Sequence, residues 1–291
     1  MCAVDRAHTQ AAPASRAQTP ARIFDARCPI SSTSVSTATA ARAPTLRWQQ
    51  GGVPVAEWQV LLGARGVPVT MIIARLDPLR IALSLEIARA GDALGPWRID
   101  DAPTDALIAF NAGQFTDAGP WGWVVHRGRE WQAPGVGALA AAMAIDSTGR
   151  VRIIAAESLA AARQRGGWIE VVQSYPQLVA HGALPTSLCR DGAIDRSHRD
   201  IRLAVGVRPD GEVIVVLSRY TPATAMTRVT ERLPLGPTTL EMAEIMRRLG
   251  VTDAVMLDGG LSAQLRVRHG ATDQQWPGLR TVPLAVVGRK R

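Results

Sequence analysis

The sequence predicts an α+β fold: a mixed, largely antiparallel, β-rich single domain with a few helices. Short apolar runs bounded by Gly, Pro, Asn and Asp recur along most of the chain, the pattern of strands joined by turns. Two pairs of these runs are separated only by tight-turn residues, which favours antiparallel neighbours. Helical periodicity with a clear stop is confined to two segments.

Taken in order, residues 1–45 are rich in Ala, Ser, Thr, Pro and Arg without apolar periodicity. They are expected to be a tail that does not pack, or the product of a misplaced start. No hydrophobic core of a secretory signal occurs in the sequence as given. The globular domain is expected over residues 46–291. Residues 68–76 and 81–85 read as neighbouring strands around the turn signal Asp77-Pro78. Residues 141–145 and 150–154 flank Asp146-Ser147-Thr148-Gly149 as a hairpin. A short helix over 158–165 stops at Gly166-Gly167.

Residues 168–172 and 177–180 are apolar enough for strands, interrupted at Pro176. The clearest hairpin joins 202–208 to 212–218 through Pro209-Asp210-Gly211. The best helix covers 238–249, where Thr238 and Glu241 stand in capping-box spacing and Gly250 marks the stop. Residues 265–267 and 282–287 close the chain as strands. No internal repeat is evident.

With 291 residues, the chain can bury a sizeable core. A hydrophobic fraction of 47% and a charged fraction of 20% are those of a globular protein. No apolar run approaches the length of a spanning helix, so no integral membrane segment is expected. The net charge of +8 raises anionic partners. Lys290 is the only lysine, however, and no aromatic-and-basic RNA-binding motif occurs. Nucleic acid therefore ranks as a distant alternative. Cys2, Cys28 and Cys189 are too scattered for a disulfide framework or a zinc site, though one Cys28–Cys189 bridge stays open. The five histidines show no ligand spacing, and neither a metal nor a cofactor is expected.

Two segments of similar construction suggest a site. In residues 254–265, AVMLDGGLSAQL, an apolar run ends at Asp258 and is followed by Gly259, Gly260 and Ser262. Ligand crevices of α/β sheets tend to lie at such carboxyl ends. A tight turn, with Asp258 bonding nearby amides, is the alternative. In residues 106–115, ALIAFNAGQF, a second run delivers Asn111, Gly113 and Phe115.

The order of motifs resembles the phosphodiester glycosidase family. FNAGQF at 110–115 is similar to its Asn-Gly-Gly-Phe segment, and GPWGWVVHRGRE follows as it does there. VVQSYPQLVAHG at 171–182 resembles its Gln-Ser-Gly-Pro segment, and IRLAVGVRPDGEVIVVLS at 201–218 its arginine-led hairpin. LEMAEIMRRLGVTDAVMLDGGLSAQL resembles the helix and the Leu-Asp-Gly-Gly-Gly-Ser-Ser ending. Leu261 and Ala263 depart from that ending, Tyr175 replaces the glycine before Pro176, and Gln114 lies inside the first motif. These departures bring the chain nearer to an exported bacterial branch than to the lysosomal, N-acetylglucosamine-removing members. The resemblance implies an exported or periplasmic hydrolase of a sugar phosphodiester or phosphoglycan, in envelope or exopolysaccharide metabolism.

On that resemblance, Asp258, Arg202 and Asn111 are the catalytic candidates. Asp258 would stabilise an oxocarbenium-like transition state, attack as a nucleophile, or activate water. Arg202 would grip phosphate oxygens. Arg196, His198 and Arg199 would enlarge the anion site, or form a solvated basic loop, a reading stronger for Arg199. Asn111 and Ser262 would bond sugar or phosphate, or serve as buried caps. Gly113, Phe115, Gln173, Ser174, Gly259 and Gly260 would shape the pocket. Glycoside hydrolysis commonly uses two carboxylates, and Asp117, Asp146, Asp195 and Glu241 are the possible partners of Asp258. Trp121 and Trp123, two residues apart, suit sugar stacking and packing equally. The alternative function is a non-catalytic glycan-binding module that lacks the second acid.

Overall fold

A computed structural model describes residues 21–23, 44, 46, 48, 52–90, 93–190, 192, 194, 195, 197–220, 236–269 and 272–291. Among them, strands dominate and pair almost entirely antiparallel. A seven-stranded sheet runs in the order Ala21–Ile23, Val55–Leu62, Val67–Leu76, Val213–Tyr220, Leu203–Val207, Asp253–Met256, Gln177–Val179. A five-stranded sheet follows the order Arg129–Gln132, Val124–His126, Trp168–Ser174, Ala141–Asp146, Val151–Ala155. A second five-stranded sheet follows Thr272–Trp276, Leu265–His269, Ile108–Asn111, Leu284–Lys290, Ile81–Ile87.

The three sheets share one core. Ile72, Val205, Val215 and Val255 of the first pack with Met143 and Val172 of the second and with Ile108, Phe110 and Val286 of the third. Strands buried on both faces read as continuous apolar runs, which is why VIVVL and AVM lack alternation. The outer face of the seven-stranded sheet is covered by the helix Thr239–Arg248, through Leu240, Ile245 and Met246. The shorter helix Leu159–Arg165 covers the outer face of the five-stranded sheet that holds Trp168–Ser174.

Both expected hairpins form, with Leu203 opposite Leu217 and Ala141 opposite Ala155. The capping box also forms: Glu241 N donates to Thr238 Oγ1 at 3.2 Å, and Thr238 N to Glu241 Oε2 at 2.9 Å. Two expectations need correction. Val67–Leu76 and Ile81–Ile87 do not pair; the Asp77 turn hands the chain from one sheet to another. Within the segment expected not to pack, Ala21–Ile23 adds a parallel strand beside Val55–Leu62, and Ile23 is fully buried. Three residues next to a long low-complexity stretch carry too little periodicity to be read. Val55–Leu62 itself alternates, burying Trp58, Val60 and Leu62.

Cys189 is disulfide-bonded. Cys2 and Cys28, and with them the Cys28–Cys189 pairing, lie outside the described residues. No helix among the described residues is long and apolar enough to cross a membrane.

Candidate active site

Three chain segments meet where Asp253–Met256 ends. Leu257 N donates to Leu203 O at 2.8 Å, Asp258 N to Ala112 O at 3.1 Å, and Gly260 N to Ile201 O at 2.8 Å. The ends of Ile108–Asn111 and Asp253–Met256 and the start of Leu203–Val207 are thereby tied to one another. The two strand ends singled out in the sequence are neighbours, and Arg202 stands beside them.

Their side chains fare differently. Asn111 is completely buried, and both ends of its amide are used within the chain. Its Nδ2 donates to the Asp258 carbonyl at 2.8 Å, and its Oδ1 accepts from Gln264 N at 2.9 Å. It closes the loop 258–264 from inside. Asp258 is half-buried. Burial pushes its carboxyl above the usual aspartate range; Ser262's hydroxyl, the Arg280 charge and Gly259 N–H oppose that rise, while the Asp200 charge adds to it. A carboxylate of raised pKa is a stronger base than an ordinary one.

Arg202 is also half-buried. Its Nε donates to Pro237 O at 3.3 Å and one Nη to His198 O at 3.0 Å; the other Nη has no partner among the described residues. Desolvation pushes its pKa down and Asp200's charge opposes this, yet a guanidinium stays cationic at any physiological pH. One donor edge is therefore available to an anion.

The glycines are dictated by close approach. A Cβ at Gly113 would strike the Gln173 carbonyl and stand 3.3 Å from Ser174 Cβ. Gly260 has φ +57°, and a Cβ there would lie 2.7 Å from Asp200 Oδ2. Asp200 thus lies against the glycine turn, near enough for its charge to act on Asp258, with its other oxygen accepting from Ile201 N at 2.8 Å. His198 Nε2 approaches it at 3.6 Å. It was not among the acids considered from sequence, although it precedes Arg202 by only two positions. Those acids lie elsewhere in structure or role. Asp117 is at an exposed hairpin tip, Asp146 and Asp195 bond their own turns, and Glu241 caps the helix.

Gln173 is buried and clamps the backbone of Trp123 and Gly135 with its amide. Ser174 Oγ lies between Gln114 Oε1 and the Met256 carbonyl. Both brace the walls and neither faces solvent. Ser262 is buried against Asp258. Phe115 is half-buried under the Arg280 guanidinium, 4.7 Å from its ring centre. Arg280, on an exposed turn, was missed because nothing in PGLR marks it. Arg280 N is held to Leu261 O at 2.9 Å.

Arg199 is not part of a solvated loop: it donates to Glu241 at 2.6 and 2.9 Å, binding the helix cap. Arg196 lies outside the described residues. Trp123 belongs to the core, whereas Trp121 is half-buried and meets Tyr175 edge-on at 5.1 Å. Among the described residues, no group of three His, Cys, Asp or Glu side chains is placed to hold a metal ion. A roomier groove of about 1090 Å³ lies between Leu159–Arg165 and Pro185, and none of the described candidates lines it.

Residues 104–287 match the family model described as phosphodiester glycosidase (NAGPA). No curated protein matches the sequence significantly. The fold is similar to the zebrafish N-acetylglucosamine-1-phosphodiester alpha-N-acetylglucosaminidase catalytic domain auto-inhibited by pro-peptide. The TM-score is 0.62 at 17% identity, covering 86% of this chain and 85% of that chain. It is also similar to a hypothetical protein from Synechocystis, with a TM-score of 0.57 at 16% identity, covering 86% of this chain and 65% of that chain. At such identities the likeness establishes the fold alone.

Proposed function

Because the chain belongs to the phosphodiester glycosidase family, we propose that it hydrolyses the glycosidic C–O bond of a sugar-1-phosphodiester, with Asp258 as the reacting carboxylate. The observation that carries this reading is that Asp200 lies against the Gly260 turn, near enough for its charge to act on Asp258, beside the open Nη of Arg202. A departing phosphate ester is already a weak base, so the site needs little proton donation and more cationic grip. Arg202 would supply that grip through its open Nη, and Arg280 would add charge from the rim.

Asp258 would stabilise the oxocarbenium-like transition state or attack the anomeric carbon. Asp200 would be the second acid, serving water in the hydrolytic step. Ser262 orients the Asp258 carboxylate, and Asn111 is a positioning residue that fixes the loop carrying it. Gly113, Gly259, Gln173 and Ser174 shape the support, and Phe115 seats Arg280. The proposed setting is phosphodiester-linked glycan of the envelope or exopolysaccharide, handled by an exported enzyme. The non-catalytic alternative is a glycan-binding module without a second acid; on the present reading Asp200 would take that place.

The test is turnover of a panel of synthetic sugar-1-phosphodiesters by the purified chain, with Asp258→Asn beside it. Release of free sugar by the wild type and its loss in the variant support the reading. No turnover across the panel, or equal turnover in both, would refute it.

A further inference from the structure

A second hollow, of about 440 Å³, opens on another sheet between the tip of the hairpin that joins Val124–His126 to Arg129–Gln132 and the strand Ile81–Ile87. It shares no residue with the Asp258 site. That volume falls within the range of small-molecule pockets. Leu85 and Ile87 form an apolar floor, His126 and Trp131 form aromatic walls, and Arg127 and Arg129 stand at the rim.

We propose that this hollow is a separate binding site for a sugar carrying a carboxylate or phosphate, one unit of an acidic glycan held away from the reacting centre. Four observations point there. Among the described residues neither Arg127 nor Arg129 is ion-paired with a carboxylate, while the lining acid Glu86 stands 3.8 Å from Arg289, which also binds Asp105 at 3.0 Å. The rim therefore sets two guanidiniums against the one carboxylate of Glu86, an excess that takes an anion through charge-assisted bonds.

The imidazole is fixed rather than loose. His126 Nδ1 lies 3.0 Å from Glu170 Oε2, and Glu170 is only 3% exposed. Its other oxygen accepts from Arg127 N at 3.5 Å, so the acid is spent on orienting the ring and the turn. Nε2 is the ring nitrogen left for a ligand.

Arg127 has φ +51° in a two-residue turn with Gly128 at φ +74°. Asn or Gly is the ordinary occupant of such a turn, and a bulky residue in that region is worth a functional explanation. This turn sets the Arg127 guanidinium at the rim of the hollow.

Trp131 supplies the fourth observation. It is 41% exposed, tilted against His126 at 6.4 Å between ring centres, with the Arg129 guanidinium 5.6 Å from its ring. A partly exposed indole beside a guanidinium suits a ring with an apolar C–H face and an acidic substituent. A bare anion would not use the indole, and a neutral sugar would not use the arginines.

Calorimetric titration of the full chain with D-glucuronic acid, glucose 6-phosphate, glucose and inorganic phosphate tests this. Both acidic sugars should bind saturably, and glucose and inorganic phosphate at least about tenfold more weakly, the loss expected when one charge-assisted bond or the ring contact is missing. Trp131→Ala and Arg129→Ala should each weaken glucuronate about tenfold or more. Arg127→Gly should weaken it similarly while leaving thermal unfolding unchanged or higher, since glycine suits that φ. Trp131→Ala should retain wild-type turnover of a small sugar-1-phosphodiester, and Asp258→Asn should retain glucuronate binding. Absence of binding, glucose or phosphate binding as tightly as the acidic sugars, full affinity in Trp131→Ala and Arg129→Ala, or loss of binding in Asp258→Asn would each overturn the proposal.

Discussion

At the end of Ile108–Asn111 the polar side chain is drawn inside: Asn111 is 0% exposed and clasps Asp258 O and Gln264 N. At the end of Asp253–Met256 the polar side chain stays half-exposed, and burial lifts its pKa instead of hiding it. Both segments are written alike, an apolar run, a polar residue and a glycine. They differ because an amide offers both a donor and an acceptor and can be fully satisfied by a backbone. A carboxylate accepts only, and sealing it away without donors would cost several kcal/mol. One strand end thus becomes support, and the other keeps a carboxylate within reach of solvent.

The largest expected effects come from exchanging the two polar groups. Asp258→Asn should lower kcat/KM by about 10³-fold or more, about 4 kcal/mol of transition-state stabilisation. It should leave thermal unfolding unchanged or slightly raised. The sign follows from the raised folded-state pKa: that group's stabilising contribution is full at acid pH and falls as pH rises through the folded value, so the neutral isostere loses nothing at pH 7. Asn111→Asp should do the reverse. It sets a carboxylate oxygen against the Asp258 carbonyl, and denaturant unfolding should show a loss of about 3 kcal/mol or more. Equal stability losses in the two variants would erase the distinction.

The glycines sharpen it. Gly113→Ala drives a methyl into the backbone carbonyl of Gln173, and a loss of about 1–3 kcal/mol in unfolding experiments is expected. Gly260→Ala meets only the tip of Asp200. Its cost should be about 1–2 kcal/mol, set by the left-handed backbone, but its kcat should fall because Asp200 is displaced.

The smallest effects are in pH dependence. If Asp258 must be ionised to react, the acid limb of kcat/KM lies above the ordinary aspartate range. Arg280→Ala removes a charge that lowers that pKa and should move the limb upward. Asp200→Asn removes one that raises it and should move the limb downward in whatever activity remains. A limb that both substitutions leave in place would show that another group titrates.

Much of this was legible in the residues. The hairpins at 203–220 and 141–155 and the capped helix follow from turn chemistry and periodicity, and the like construction of two remote strand ends hinted that they meet. The assignment of Ile81–Ile87 to a different sheet from its neighbour was not, because sheet membership depends on partners distant in sequence. Asp200 was hidden for the same reason: its value comes from Gly260, sixty positions away. The role of Arg199 depended on recognising Glu241 as more than a cap, since the Thr238 bonds alone account for its place in the sequence.

The most direct test of the central claim is hydrolysis of a sugar-1-phosphodiester in water enriched in oxygen-18, with the products analysed by mass. Cleavage at the anomeric carbon places the label in the released sugar and none in the phosphate ester. Label appearing in the phosphate would mean that phosphorus is attacked, and Asp258 would not be the centre of a glycosidase.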